Sequence, residues 1–112
     1  GERPGAYVLI FDDLALAKSR PVDTGICAQT IMLSAAEAGY GGCILGSVDR
    51  AKVMDNLGID REKYSLALVL ALGRPKETVV LVPVKEDGNI KYYRDKDGIH
   101  YVPKRGLEEI LI

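Results

Sequence analysis

A glycine-rich segment at residues 39–50 constrains the fold of this chain more than any other stretch. It opens with three glycines in four positions, continues through three apolar residues, and closes on residues that favour a helix start. Clustered glycines end a helix, and a short apolar run between turns is typical of a strand. Glycines also lack the Cβ atom that would keep a backbone away from a flat ligand. The segment therefore predicts the end of a helix, then a short strand that a planar molecule can approach.

An apolar helix is expected before the glycines, at residues 22–40. Pro21 suits its first turn, and Asp23 places negative charge near its N-terminus. Beyond Asp23 the only charged residue is Glu37, and apolar side chains cover nearly every face. A helix of this kind is buried, either in a core or in a subunit interface. Because a chain of 112 residues can hardly cover it alone, we expect a homodimer.

Two continuous apolar runs, residues 6–11 and 66–72, predict strands that are covered on both faces. A second, shorter helix is expected between them at residues 50–57. Either Ser47 or Asp49 provides its N-cap, since both side chains accept hydrogen bonds from the first backbone N–H groups of a helix. The first part of the chain thus alternates strands and helices.

The second part of the chain predicts a meander of exposed strands. Pro83 lacks a backbone N–H, so its strand is expected at a sheet edge, and Pro103 is expected to end the meander. The order of elements predicts an α+β fold, with a mostly antiparallel sheet packed against helices, in a single domain over residues 1–112. The expected strands are residues 79–85, 90–94 and 99–102, with Asp-Gly turns at 87–88 and 97–98.

Composition excludes several classes of protein. Net charge is −1, which argues against a nucleic-acid partner, and no apolar run is long enough to span a bilayer. Cys27 and Cys43 form no Cys-x-x-Cys pair, so two buried, reduced thiols in a cytoplasmic protein are expected. Asp12 and Asp13 fit an acidic turn at a strand end better than a magnesium site, and no metal is expected. The single histidine, His100, is interpreted as a surface or strand-edge residue.

The glycine spacing does not match the common phosphate-binding loops. A dinucleotide-binding loop leads from a strand into a helix, whereas these glycines lead from a helix into a strand. A P-loop requires Gly-Lys followed by Ser or Thr, and Gly46-Ser47 lacks the lysine. From local sequence alone, a helix end followed by a strand is the favoured interpretation.

Four segments, in the same order, resemble the nitroreductase family of FMN-dependent oxidoreductases. Family members also open with an arginine-rich helix and a Pro-Ser loop, and nothing before residue 8 resembles either. We therefore expect a C-terminal portion of a nitroreductase-like fold, truncated at its N-terminus. The four segments are residues 23–46 (an alanine-rich helix, Gly-x-Gly and a strand ending in Gly), 49–59 (the next helix), 70–75 (a strand ending in Gly-Arg-Pro) and 103–110 (a basic pair and Leu-Glu-Glu-Ile).

The resemblance implies that two segments bind FMN. Backbone groups of the first lie against the isoalloxazine, near N5 and the pyrimidine edge, and the two cations of the second bind the phosphate. No catalytic side chain is implied, since the flavin carries the chemistry. Leu45 departs from members that carry glutamate there. The implied residues are Cys43, Ile44, Leu45 and Gly46 in the first segment, and Lys104 and Arg105 in the second.

The resemblance also implies an activity. NAD(P)H would reduce FMN, and a nitroaromatic or quinone-type acceptor would then reoxidise it in a ping-pong cycle, within a cytoplasmic homodimer. Two alternatives remain open. One is a cofactor-free scaffold or interaction domain that keeps the fold without the site. The other is a flavin-dependent dehalogenase-like relative.

Overall fold

Two compact units make up the part of the chain that the computed structural model describes, residues 3–16 and 20–111. The first extends to Pro75 and the second begins at Lys76. Within these ranges every strand pairing but one is antiparallel, which confirms an α+β fold with mostly antiparallel sheet. The single domain stays a prediction. The elements are β1 (Ala6–Asp13), α1 (Pro21–Glu37), β2 (Gly41–Leu45), α2 (Arg50–Leu57), β3 (Tyr64–Gly73), β4 (Val79–Pro83), β5 (Tyr93–Arg94), β6 (His100–Lys104) and α3 (Leu107–Ile110).

Strand β3 is the centre of the first unit. The sheet order is β1-β3-β2, so β3 pairs on both edges. Its continuous apolar sequence is explained by burial of both faces, since the adjacent residues Val69 and Leu70 point to opposite faces and are both buried. Leu66 and Leu70 on this strand are 2% and 0% exposed. Met54 and Val69 are also buried, and Met54 joins Leu66 and Val69 in the core cluster. The predicted strand at residues 66–72 is confirmed.

Helix α1 ends at Glu37, three residues earlier than predicted. Gly39 adopts a left-handed conformation (φ 80°), and the N–H of Tyr40 donates to the carbonyl of Ala35 at 2.8 Å. These features form a Schellman C-cap, which fixes the end of the helix at the first glycine of the segment. Gly41 belongs to the following strand, so it has no part in stopping the helix.

The apolar surface of α1 is mostly exposed within the chain. Thr24 and Ala28 are its buried residues, and Thr24 Oγ1 donates to Asp12 Oδ1 at 3.4 Å. Ile26 and Leu33, by contrast, are 63% and 61% exposed. Burial of the whole helix in the core of this chain, one of the two predicted alternatives, is therefore wrong. Burial in a dimer interface stays a prediction.

Helix α2 matches its prediction at both ends. Asp49, one of the two expected N-caps, accepts a hydrogen bond from the N–H of Lys52 at 3.0 Å. Gly58 follows the helix with φ 66°, the left-handed conformation that glycine adopts without strain. Local signals at the two ends thus determine this helix.

The second unit contains a parallel pairing that the sequence did not indicate. Its sheet order is β4-β6-β5, with β4 parallel to β6 and at the sheet edge, as expected from Pro83. Pro103 lies inside β6, opposite Val82, so the prediction that Pro103 ends the meander is wrong. Strand β5 pairs only with His100 and Tyr101. Pro103 is tolerated because β6 at that point has a neighbour on one side alone.

Strand β5 is shorter than the predicted strand at residues 90–94. Asp87 Oδ1 accepts from the N–H of Asn89 at 2.9 Å, and Asn89 Oδ1 accepts from the N–H of Lys91 at 3.0 Å. These side chains offer the backbone a local alternative to strand pairing. The remaining strand places Tyr93 opposite Tyr101, and their rings stack with centroids 5.1 Å apart. These two tyrosines therefore pack against each other across the strand pair.

A carboxylate shared by two basic side chains connects β5 and β6 to the segment before β4. Arg94 Nη2 donates to Glu77 Oε2 at 2.6 Å, and His100 Nδ1 lies 3.2 Å from the same oxygen. The hydrogen bond from Arg94 is the main cause that lowers the pKa of Glu77, with His100 contributing and desolvation opposing.

We expect the stability of the second unit to decrease in acid through Glu77. Its folded pKa lies below the ordinary value of 4.5, so its contribution is complete above pH 4.5 and is lost as the pH falls through the folded pKa. Glu77→Gln should therefore be less stable than the unchanged chain at neutral pH and equally stable in strong acid. Thermal unfolding followed by tyrosine fluorescence over this range measures the difference.

Glu86→Gln is the matched control, since Glu86 is exposed and has no ion pair within the described residues. It should follow the unchanged chain at every pH. A stability difference for Glu77→Gln that stays constant from neutral pH into strong acid would contradict the role given to its charge.

Candidate functional site

The glycines of the 39–50 segment have different surroundings. A Cβ atom at Gly42 would lie 2.7 Å from Leu72 Cδ2 and 2.9 Å from Met32 Cε, and one at Gly41 would lie 3.1 Å from a carbon of Pro75. Protein side chains therefore already occupy the space beside these two glycines. Gly42 is required because α1 packs closely over β2, which is a structural reason rather than a ligand-binding one.

Gly46 differs from the glycines before it. A Cβ atom built there would meet no atom within 4 Å. Gly46 comes directly after β2 and has no positive φ that would demand glycine. Gly39 is open as well, but its positive φ at the end of α1 accounts for the glycine there. At Gly46, in contrast to Gly41 and Gly42, the described part of the chain leaves open space beside a bare backbone that no turn requires.

Strand β2 is an edge strand and carries the other three predicted flavin contacts. Alternate backbone N–H and C=O groups of an edge strand point away from its neighbour. Side chains alternate as well, so Ile44 faces the same side as Gly42, towards α1, and is 43% exposed. Leu45 faces the other side and packs against the core cluster that contains Met54. The side chain of Leu45 is thus structural, while the outer backbone edge is available.

The two cysteines are both exposed, so their predicted burial is wrong within this chain. Cys43 is on the edge strand, and its Sγ lies 3.6 Å from the carbonyl oxygen of Ile44. Cys27 is on α1, next to Ile26, which is also exposed. Neither cysteine forms a disulfide within the described residues, and their reduced state stays a prediction.

The predicted basic pair lies at the end of β6, in the second unit. The carbonyl of Lys104 accepts from the N–H of Val84 at 3.2 Å, which fixes the backbone, and both Lys104 and Arg105 are exposed. Neither has an ion-pair partner within residues 3–16 and 20–111. A guanidinium and an ammonium group without internal partners are suited to an anion such as phosphate.

A cavity of about 460 Å³ lies near the start of the glycine segment in the first unit. It is formed by the last turn of α1 and the end of β3, and it is mostly apolar. None of the four predicted flavin contacts of the first unit lines it. The lining residues are Gly5, Ala6, Ala35, Tyr40, Leu72, Gly73 and Arg74.

The sequence range that forms the sheet and helices of the first unit matches a known protein family. The sequence model of the nitroreductase family matches residues 5–74, more than half of the chain. The chain belongs to the nitroreductase family. This confirms the family resemblance, and the matched range contains the predicted flavin contacts at 43–46. The basic pair at 104–105 lies beyond it.

Two relatives illustrate the match. A Bacillus subtilis (strain 168) protein, YdgI, named as an NAD(P)H nitroreductase, is 28% identical over 53 residues, which are 47% of this chain and 25% of that protein. A solved structure from Staphylococcus epidermidis, named as an NAD(P)H:FMN oxidoreductase, is 28% identical and covers 51% of this chain and 27% of its own, with a TM-score of 0.48. The matched part of this nitroreductase-family chain thus spans about a quarter of the length of either relative.

Proposed function

We propose that this chain supplies FMN contacts to an NAD(P)H-dependent flavin oxidoreductase. Membership of the nitroreductase family supports an oxidoreductase. The single observation that carries the FMN assignment is the open space beside Gly46, next to the unpaired backbone edge of β2. A planar ring requires such a surface, where neither a Cβ atom nor a neighbouring strand intervenes.

The proposed ring contacts are backbone groups of Cys43, Ile44, Leu45 and Gly46. A backbone N–H on the outer edge of β2 can donate to an acceptor atom of the ring without any ionisable side chain. Such a donor is held in place by the pairing of β2 with β3 and by the packing of Leu45 into the core. The strand therefore presents a fixed donor, which costs little reorganisation when a ligand binds.

The proposed phosphate contacts are Lys104 and Arg105. Arginine can donate two parallel hydrogen bonds to a phosphate, and lysine adds a compact positive charge. Their exposure and their lack of described internal partners support this role. The two segments belong to different units. Each is proposed as an FMN contact from observations within its own unit.

FMN, when bound, would supply the redox chemistry between NAD(P)H and a nitroaromatic or quinone-type acceptor in a ping-pong cycle. The chain's own residues bind and orient, and no side-chain acid or base is obligatory. We further propose a cytoplasmic homodimer with FMN at its interface. The exposed apolar surface of α1, including Ile26 and Leu33, supports such an interface, since patches of this kind mark association sites.

Titration of FMN with the 112-residue chain tests the proposal directly. We expect saturable quenching of flavin fluorescence as the ring is held against the protein, followed by NAD(P)H-dependent reduction of a quinone. Circular dichroism must show in parallel that the chain is folded. A folded chain that leaves flavin fluorescence unchanged would overturn the proposal and favour the cofactor-free scaffold.

Replacing Gly46 by valine should weaken FMN binding about tenfold or more while leaving the fold intact. The new side chain would project into the space proposed for the ring, yet it meets no protein atom within 4 Å of its Cβ. Fluorescence titration measures the affinity, and urea unfolding measures the stability. Equal affinities for Gly46→Val and the unchanged chain would remove Gly46 from the site.

Gly42→Val provides the matched comparison. Its side chain would collide with Met32 and Leu72, so we expect a loss of stability of about 1–3 kcal/mol, typical of overpacking. The two substitutions add the same atoms at positions four residues apart. A loss of FMN affinity at position 46 and a loss of stability at position 42 would distinguish a ligand-binding surface from a packed one.

A further inference from the structure

We propose that the first unit contains a second ligand site, a cavity beside α2 that binds a small organic anion with an apolar body. The site is separate from the proposed FMN contacts and does not depend on them. The cavity has a volume of about 330 Å³ and lies between α2, the start of β3 and the turn after β1. Its lining residues are Leu14, Arg50, Ala51, Met54, Arg61, Tyr64, Ser65 and Leu66.

The floor of the cavity is preformed. Met54 and Leu66 are 4% and 2% exposed and belong to the core cluster, so their positions are fixed by packing. An apolar cavity of about 150 Å³ already admits benzene. The depression observed here is open to solvent, and its volume has room for a benzene-sized body together with a charged group at the rim.

The rim carries hydrogen-bond donors that the described residues do not use. Arg50 Nε donates to the carbonyl of Leu66 at 3.1 Å, which holds the guanidinium at the cavity. The terminal nitrogens of Arg50 have no partner within residues 3–16 and 20–111, and neither do the hydroxyls of Tyr64 and Ser65. Three neighbouring groups with unused donors favour an acceptor-rich ligand such as a carboxylate.

The nearby charges leave a positive surplus at the rim. Arg61 is engaged by Asp55, with Nη1 3.2 and 3.3 Å from the two carboxylate oxygens. Asp13, which lies opposite Tyr64 in the β1–β3 pairing, accepts from the N–H of Ala15 at 2.9 Å through Oδ1. Among the residues that the structure describes, Arg50 is thus the lining cation without an acidic partner, and none of those that line the cavity is acidic.

Two features of the cavity select the ligand class together. The floor favours binding of an apolar group, and the rim favours binding of a negative charge. An inorganic anion would therefore contact only the rim, and a neutral aromatic molecule would contact only the floor. Arg50 is exposed, so its charge is screened and binding should be weak. A small aromatic carboxylate uses both halves, and benzoate is the simplest probe of this kind.

Titration of the 112-residue chain with benzoate, followed by NMR of its backbone amides, tests the site. We expect saturable chemical-shift changes at the amides of Ala51 and Ser65. Benzyl alcohol and inorganic phosphate should each bind at least tenfold more weakly than benzoate. Arg50→Gln should weaken benzoate about tenfold, the effect of losing hydrogen bonds to a charged group. Arg61→Gln is the second variant and should also weaken benzoate, because it leaves the Asp55 carboxylate without its cation near the rim. It does not disturb the bond between Arg50 and Leu66.

Arg74→Gln is the matched control, because Arg74 lines the other cavity of the same unit. It should leave benzoate affinity unchanged. A loss with Arg74→Gln but not with Arg50→Gln would place the ligand in the other cavity and overturn the proposal. Phosphate binding as tightly as benzoate, or no saturable shift at all, would overturn it as well.

Discussion

Replacing Lys104 and Arg105 together by methionine will weaken FMN binding about 100-fold. Each charge-assisted hydrogen bond to a phosphate contributes about 1.5–3 kcal/mol, and solvent screening of these exposed side chains keeps the sum of two near the lower value. Methionine keeps an unbranched, flexible side chain close in length to lysine and removes both the charge and the hydrogen-bond donors. Quenching of flavin fluorescence measures the affinity, and the loss should shrink as salt is raised, since the contact is electrostatic.

The matched control for the basic pair is the double variant Lys91→Met with Lys96→Met. Both lysines lie in the same unit, both are exposed, and neither has an ion pair among the described residues. The control should bind FMN as the unchanged chain does. If both double variants lose affinity equally, the effect is one of net charge, and the assignment of Lys104 and Arg105 to the phosphate is wrong. Loss of riboflavin affinity to the same extent as FMN would contradict it too.

The second large effect is on stability: Leu70→Ala should lower the free energy of unfolding of the first unit by about 3 kcal/mol. Leu70 is fully buried at the middle of β3, opposite Val8 on one side and Ile44 on the other. Its truncation removes apolar contacts and leaves a cavity that the paired strands cannot close. Urea unfolding followed by circular dichroism measures the change.

Leu16→Ala is the control for Leu70, since it removes the same atoms from a residue that is 73% exposed. It should change stability by no more than about 0.5 kcal/mol. If Leu70→Ala changes the free energy of unfolding by less than about 1 kcal/mol, packing at the centre of the sheet does not contribute the stability assigned to it here.

Sequence was most informative where the signals are local. Helix α2 is bounded by Asp49 and Gly58, which act on their own backbone neighbours, and its predicted bounds match the structure. Strand β3 was predicted from its continuous apolar run because a central strand is covered on both faces. Both elements depend on residues adjacent in the chain, and that is why a single sequence is enough to place them.

Long-range pairings were not predictable in the same way. The parallel partnership of β4 and β6 brings Val82 opposite Pro103, and no local feature of either strand indicates it. Pro103 was misinterpreted because its tolerance depends on where β5 stops. The exposure of Cys27 and Cys43 was likewise missed, since it depends on which elements cover α1 and β2.

The candidate site was identified by family resemblance rather than by local chemistry. Residues 43–46 and the basic pair at 104–105 came from motif order, and the family match covers the first group. The structure shows that Gly39 ends a helix, that Gly42 allows close packing, and that Gly46 leaves open space. Composition alone cannot make this distinction. The cavity at Arg50 had no sequence signature, because its lining comes from three elements that meet only in the fold.

The close approach of Met32 to Gly42 has a consequence for anyone altering either residue. Leu72 on the neighbouring strand approaches the same point, so a bulkier residue at position 42 becomes acceptable only if both Met32 and Leu72 make room for it. Libraries that vary Gly42 alone will score it as intolerant, whereas joint variation of the three positions can reveal compatible combinations. In nitroreductase engineering, these three positions are best treated as one design variable.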